Sequence, residues 1–597
     1  MSKKVALVFL ACLVFVANAQ KHEDSIKNGF KNGISSFFHT KQISKEFFDF
    51  MDSLNFRNAY KEPETYIDPA VLCTACVEVG EAALEARRNG TSAEDLANLV
   101  VEACVYLGLD TRRVCEGLVN IMVDTGLYIV DNSPDIKADH LCAVVAQSYG
   151  CEGEVPEWSI NIPEKASIPP KKSSTYDETP LRIAHITDIH YDPMYLAGSL
   201  AVCDTYVCCQ SDLGIAENPD QAAGYWGDYR SCDSPLNVIQ SAFESMKERG
   251  NYDAIYFTGD IISHRMFDTT PERVKEEVHT IHNELRKVFP GTPIFSTYGN
   301  HDSHPVNCYA PPSVTDETVS SQWLYDDTAE LWGQDLTEEA KETVRRGGFY
   351  SVLVRPGFRV ISINGNTGYL FNWWILFETD PLGQLQWLSD ELYKAEQNGE
   401  MVHLLSHNPS SDGSQFTIWS REYRRIIARF SHIIKATFNG HTHQDEITLY
   451  HSIENPTEPI SVAWNGGSVT TISNLNNNYK VFSVDPTNFE LLDYEVWSMN
   501  VTEANLTPEL NPVWFKLYSF KEEYGVEDLS PASIRDLAIR MTEDHSIAQK
   551  YWRNRHRLAD TALAGGCSDG CLKNLVCRML MSQTYDNTQC QEITGNW

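Results

Sequence analysis

Arg182-Ile183-Ala184-His185-Ile186-Thr187-Asp188-Ile189-His190 is a short apolar run that stops on a carboxylate and an imidazole. Four later stretches repeat the design. Ala254-Ile255-Tyr256-Phe257 leads into Thr258-Gly259-Asp260, and Pro293-Ile294-Phe295 leads into Gly299-Asn300-His301-Asp302. Met401-Val402-His403-Leu404-Leu405 leads into Ser406-His407-Asn408-Pro409, and Ala436-Thr437-Phe438 leads into Gly440-His441-Thr442-His443. Short apolar runs bounded by polar and glycine residues read as buried strands, with helical stretches between them. Residues 181–497 are therefore expected to form an α+β or layered α/β unit. Ligands collect beyond the carboxyl ends of strands in such sheets, so five strand ends would pool these side chains.

Mixed imidazole and carboxylate donors suit zinc or a similar divalent ion. Two such ions clamp the attacking and leaving oxygens at phosphorus, and Asp260 is the natural bridging carboxylate. D-x-H, G-D, G-N-H-D, a lone His and G-H-T-H, in that order, resemble the calcineurin-like metallophosphoesterase superfamily. The resemblance implies a β-sandwich flanked by helices.

Outward from this unit the chain changes character several times. Lys3 and Lys4, the apolar run Val5 to Val16 and Ala17-Asn18-Ala19 read as a secretory signal peptide over residues 1–19. The mature chain is then expected in an oxidising compartment, secreted or lysosomal, where disulfides persist. Asn89, Asn500 and Asn505 head glycosylation sequons that agree with this. Residues 20–68 are a polar segment with scattered Phe. Residues 69–155 combine helical periodicity with Cys73, Cys76, Cys104, Cys115, Cys142 and Cys151. Six cysteines allow many pairings. Their spacing favours Cys73–Cys151, Cys76–Cys142 and Cys104–Cys115, and the segment resembles an all-α saposin-type domain. Residues 156–180 are Pro-rich and read as a semi-rigid spacer that lets this module move. Residues 498–597 read as a Cys-stapled helical subdomain.

This order of segments resembles the acid sphingomyelinase family. The resemblance implies two zinc ions, one held by Asp188, His190, Asp260 and His443, the other by Asp260, Asn300, His407 and His441. It also implies that His301 protonates the leaving oxygen and that His264 holds the phosphate or assists. Cys203–Cys208, Cys209–Cys232, Cys567–Cys571 and Cys577–Cys590 match the family's short bridges. Two departures stand out. Ser406 replaces the glycine usual before the lone histidine, which matters only if that turn needs positive φ. Cys308 is left over when fourteen of the fifteen mature cysteines pair, and reads either as an inert buried thiol or as a reactive one.

The implied activity is hydrolysis of sphingomyelin to ceramide and phosphocholine. An acidic working pH would keep His301 charged, since free histidine titrates near about 6.5. The saposin-type domain would loosen lipid at the membrane surface, and the aromatics of Tyr369–Trp374 either touch that membrane or belong to the core. A net charge of −34 from 48 basic and 82 acidic residues argues against a nucleic-acid partner. A monomer is expected. Two other readings stand beside this one: a secreted phosphodiesterase for nucleotides or other soluble esters, and a non-enzymatic lipid-transfer protein. A full set of seven metal ligands counts against the second.

Overall fold

The computed structural model describes residues 23–40, 44, 45, 47, 49, 69–106, 108–165, 179–595 and 597. The expected signal peptide lies outside them, as do most of residues 41–68 and the second half of the Pro-rich segment.

Two six-stranded sheets form the centre. The first has the order β12-β11-β10-β1-β2-β3, with β1 Leu181–Ile186, β2 Ala254–Phe257, β3 Ile294–Ser296, β10 Asn477–Val484, β11 Leu491–Met499 and β12 Trp514–Ser519. The second has the order β4-β5-β6-β7-β9-β8, with β4 Tyr350–Arg355, β5 Phe358–Ser362, β6 Met401–Leu405, β7 Ile434–Asn439, β8 Ile447–His451 and β9 Pro459–Asn465. Within the sheets β1, β2 and β3 run parallel, and so do β5, β6 and β7. Tyr256, Val360, Phe438, Trp464 and Phe482 fill the space between the sheets. The helices Leu236–Glu248 and Pro271–Val288 cover the outer face of the first sheet, and Gln384–Gln397 and Thr417–Phe430 cover that of the second. The layered sandwich expected from the strand pattern is the one observed.

The N-terminal module is helical: α1 Glu23–Thr40, α2 Pro69–Arg88, α3 Ala93–Tyr106, α4 Arg112–Asn132 and α5 Ala138–Val145. Cys73–Cys151 and Cys76–Cys142 staple the start of α2 to α5 and its exit, and Cys104–Cys115 joins α3 to α4. Helix α4 lies on the phosphoesterase unit. Gly117 makes that approach possible, since a Cβ there would sit 2.1 Å from the Phe267 carbonyl oxygen. Tyr369 and Trp374 are fully buried beneath this module and Phe371 is buried beside them, so these aromatics are core, while Trp373 is partly buried and packs against the same cluster.

Two segments differ from their sequence reading. Residues 157–164 are held against the helix Thr417–Phe430: Arg421 binds Glu157 and the Trp158 carbonyl, and Arg429 binds the Pro163 and Glu164 carbonyls. An arginine face on a helix captures exposed carbonyls, so this half of the segment is a strap and not a free spacer. The C-terminal region is helical except for β12, which extends the first sheet by pairing with β11.

Candidate metal centre

The parallel strands of both sheets end on one rim. Asp188 and His190 follow β1, Asp260 follows β2, Asn300 and His301 follow β3, His407 follows β6, and His441 and His443 follow β7. All are buried. Asp188, His190, Asp260 and His443 each place one donor atom within 4.8 Å of the others, and so do Asp260, His407 and His441. Asp260 belongs to both groups. Asn300 Oδ1 joins the second, 2.8 Å from His441 Nδ1 and 3.3 Å from His407 Nε2. His190, His264 and His301 form a third, overlapping group.

The hydrogen bonds fix which nitrogens are bare. His190 Nδ1 donates to the Ile262 carbonyl at 2.8 Å, and His407 Nδ1 donates to the Thr258 carbonyl at 2.6 Å. Their Nε2 atoms therefore present lone pairs. His190 Nε2 faces His443 Nε2 at 3.0 Å and Asp260 Oδ2 at 3.4 Å. His407 Nε2 faces Asp260 Oδ2 at 3.2 Å. Lone pairs aimed at lone pairs between buried side chains require a cation or a proton between them. The basicities say the same. Burial works against charge on His407, yet the Asp260 carboxylate raises it to about 9, and it raises His190 too. Burial, helped by repulsion from neighbouring histidines, drives His443 well down and His441 to about 3. This nitrogen and oxygen donor set fits divalent cations.

A family model for calcineurin-like phosphoesterase matches residues 181–445, and one for the acid sphingomyelin phosphodiesterase C-terminal region matches residues 459–596. The sphingomyelin phosphodiesterase of Bos taurus is 32% identical over 528 residues, spanning 87% of this chain and 84% of its own. This chain belongs to the sphingomyelin phosphodiesterase family. The human sphingomyelin phosphodiesterase is 31% identical over 83% of this chain and 79% of its own. The human cyclic GMP-AMP phosphodiesterase SMPDL3A is also 31% identical, but over 68% of this chain and 89% of its own. With its phosphoesterase unit and buried His/Asp cluster, this member of the sphingomyelin phosphodiesterase family is an enzyme that uses divalent metal.

The backbone of the centre is strained. Asp188, His190, Asp260, His441 and His443 all have φ between +46° and +72°, a conformation costing about 1–3 kcal/mol each. Surrounding bonds hold it. Asp302, which the sequence reading quoted without a role, accepts from the backbone N–H of Asp260 at 3.0 Å, Ile261 at 2.7 Å and Gly299 at 2.7 Å. It ties the β2 and β3 loops together. Gly259 has φ +89°, and a Cβ there would lie 2.2 Å from Gly299 N.

His264 and His301 flank His190, with ring centroids 4.0 and 4.8 Å from it. Asp233 was missed by sequence reasoning. It accepts from His264 Nδ1 at 2.8 Å and from His264 N at 2.6 Å, so it fixes the ring's tautomer and angle. His301 Nδ1 is buried with no protein partner among the described residues. Burial pushes the His301 pKa well below 6.5, against the pull of Asp260. Burial thus opposes the charge that an acidic working pH is expected to place on His301.

The remaining positions are plain. Ser406 is not among the positive-φ residues, so serine serves there. Cys308 is buried and its thiol is pushed up to about 12, which makes it the inert alternative. The bridges Cys203–Cys208, Cys209–Cys232, Cys567–Cys571 and Cys577–Cys590 are present. Asn89 is exposed. Asn500 caps a helix by accepting from Glu503 N. Asn505 is half-buried, with its amide nitrogen on the Gly227 carbonyl and its oxygen on Trp226 N. Among the described residues no helix is long and apolar enough to cross a membrane.

Proposed function

We propose that this chain hydrolyses sphingomyelin to ceramide and phosphocholine, working in an acidic lysosomal or extracellular setting as a monomer. The observation that carries the reading is the extent of the similarity to the bovine sphingomyelin phosphodiesterase. Its 528 residues exceed the span 181–597, so it reaches into the N-terminal helical module. That module is proposed as a saposin-type, membrane-facing unit that presents lipid to the centre, and residues 181–497 as the phosphoesterase domain.

Asp188, His190, Asp260 and His443 are proposed to hold one zinc ion, and Asp260, Asn300, His407 and His441 a second. When bound, such ions neutralise phosphate charge and lower the pKa of water from about 15.7 towards roughly 7. His264, its Nδ1 held by Asp233, orients a phosphate oxygen through the opposite nitrogen. As a water oxygen bonds to phosphorus and the bond to the ceramide oxygen breaks, His301 gives that leaving oxygen the proton carried on its unpartnered Nδ1. An anionic diester beside this ring offsets the burial that otherwise keeps it neutral. Metal binding and ring protonation compete for the same protons, so acid favours His301 and opposes the ligand histidines.

The similarity to a cyclic GMP-AMP phosphodiesterase gives the second reading, a soluble nucleotide ester as substrate. Sphingomyelin vesicles and a cyclic dinucleotide, assayed side by side with the full chain, separate the two. The proposal expects phosphocholine release to dominate. Turnover of the dinucleotide alone would leave the metal centre standing and move the substrate.

A further inference from the structure

Arg557 follows the helix His545–Arg555 in the C-terminal region and is fully buried. It sits in a left-handed reversal, at φ +49°, with Leu558 at +57°. Its guanidinium donates to four acceptors. Nε reaches the Asn476 carbonyl at 2.9 Å, Nη1 the His443 carbonyl at 2.6 Å and the Arg555 carbonyl at 3.1 Å, and Nη2 the Ser468 hydroxyl at 2.9 Å. None of these acceptors is a carboxylate. Burial pulls its pKa down to about 10, so the group stays charged at any working pH. Taking a cation out of water to hold neutral acceptors is costly, and these particular acceptors point to what it does.

Two of them lead to one half of the metal centre. His443 is itself a donor there. Ser468 Oγ donates to the Thr470 carbonyl at 2.8 Å, and Thr470 N donates to the Asp188 carbonyl at 3.0 Å. Asn476 supports the same loop, returning a bond from its amide to the Arg557 carbonyl at 3.0 Å. None of the four acceptors lies on Asn300, His407 or His441. We infer that Arg557 is a positioning residue for the Asp188–His190–Asp260–His443 site: it locks the backbone of His443 directly and that of Asp188 through Ser468 and Thr470. The C-terminal region is thereby a working part of the centre. The inference rests on the two-cation reading above.

The test measures zinc per chain on the full protein, after dialysis against a fixed competing chelator, for wild type, Arg557→Lys, Arg557→Met and Ser468→Ala. Thermal unfolding of each stripped protein is the control for folding. Wild type is expected to keep two ions. The variants are expected to bind one of them about 10- to 100-fold more weakly, with Ser468→Ala and Arg557→Lys milder than Arg557→Met. A merely structural role would lower the unfolding temperature without separating the two ions. Parallel loss of both ions, or retention of both in Arg557→Lys and Ser468→Ala, overturns the inference. A wild type that never holds two ions overturns the two-cation reading and the inference with it.

Discussion

His301 and His264 stand side by side against His190, yet their surroundings give them different work. The unpartnered Nδ1 of His301 can lose a proton without breaking any protein bond, whereas His264 is anchored on Asp233. His301→Ala is therefore expected to keep both ions and lose about 10²- to 10⁴-fold in kcat, read by metal analysis and turnover on the same sample. Normal turnover would remove it from the proton-donor role. Asp233→Asn should keep the metal but free the His264 ring, lowering kcat and altering the pH profile; an unchanged profile would count against the dyad. The seven donors were legible because each falls within a few residues of an apolar run. Asp233 was not, because it lies 31 residues from His264 in a loop without a repeated pattern. Asp302 was visible but mute, since its work is done on backbone N–H groups that no side-chain motif reveals.

At the scale of elements, the strand-end arrangement explains why the sequence betrayed the fold: an apolar run followed by chemistry marks both the strand and its carboxyl end. Strand β12 was hidden because Trp514–Ser519 is an edge strand set among helical periodicity, and only its pairing with β11 identifies it. The strap of residues 157–164 was hidden because proline content speaks of stiffness and not of the arginines waiting on another helix. The docking of α4 was hidden for the same reason, being a long-range contact. Gly117 is its most exposed point of failure, with the Phe267 carbonyl where a side chain would go. Gly117→Val should push the helical module off the loops that carry His264 and Trp374. Hydrolysis of vesicle-borne sphingomyelin should then fall further than hydrolysis of a soluble phosphodiester. Equal loss on both would mean that the docked module does not serve lipid delivery.

At the scale of the whole molecule, one buried carboxylate, Glu277, shows how acid can stabilise the chain. Burial pushes Glu277 from 4.5 to about 7, against its partner Arg273 and with Asp192 and Asp268 adding to the rise. One of its oxygens, Oε2, is buried without a partner among the described residues, which is where a proton fits. A carboxyl whose folded pKa is raised binds its proton more tightly in the folded chain. Its stabilisation is full below about 4.5 and is lost as pH climbs through about 7, at up to about 1.4 kcal/mol per pH unit. Glu277→Gln should flatten the pH dependence of thermal unfolding between those limits; a slope equal to wild type would contradict the assignment. A net charge of −34 adds self-repulsion that acid also relieves. The central claim is that a two-metal centre on this scaffold cleaves a membrane phosphodiester. Its most direct test is phosphocholine release from sphingomyelin vesicles at mildly acidic pH by full-length protein, first stripped with chelator and then titrated with zinc. The account predicts that release vanishes on stripping and returns as two zinc ions per chain are restored. Release that survives complete stripping, or that never appears at any zinc level, would contradict it.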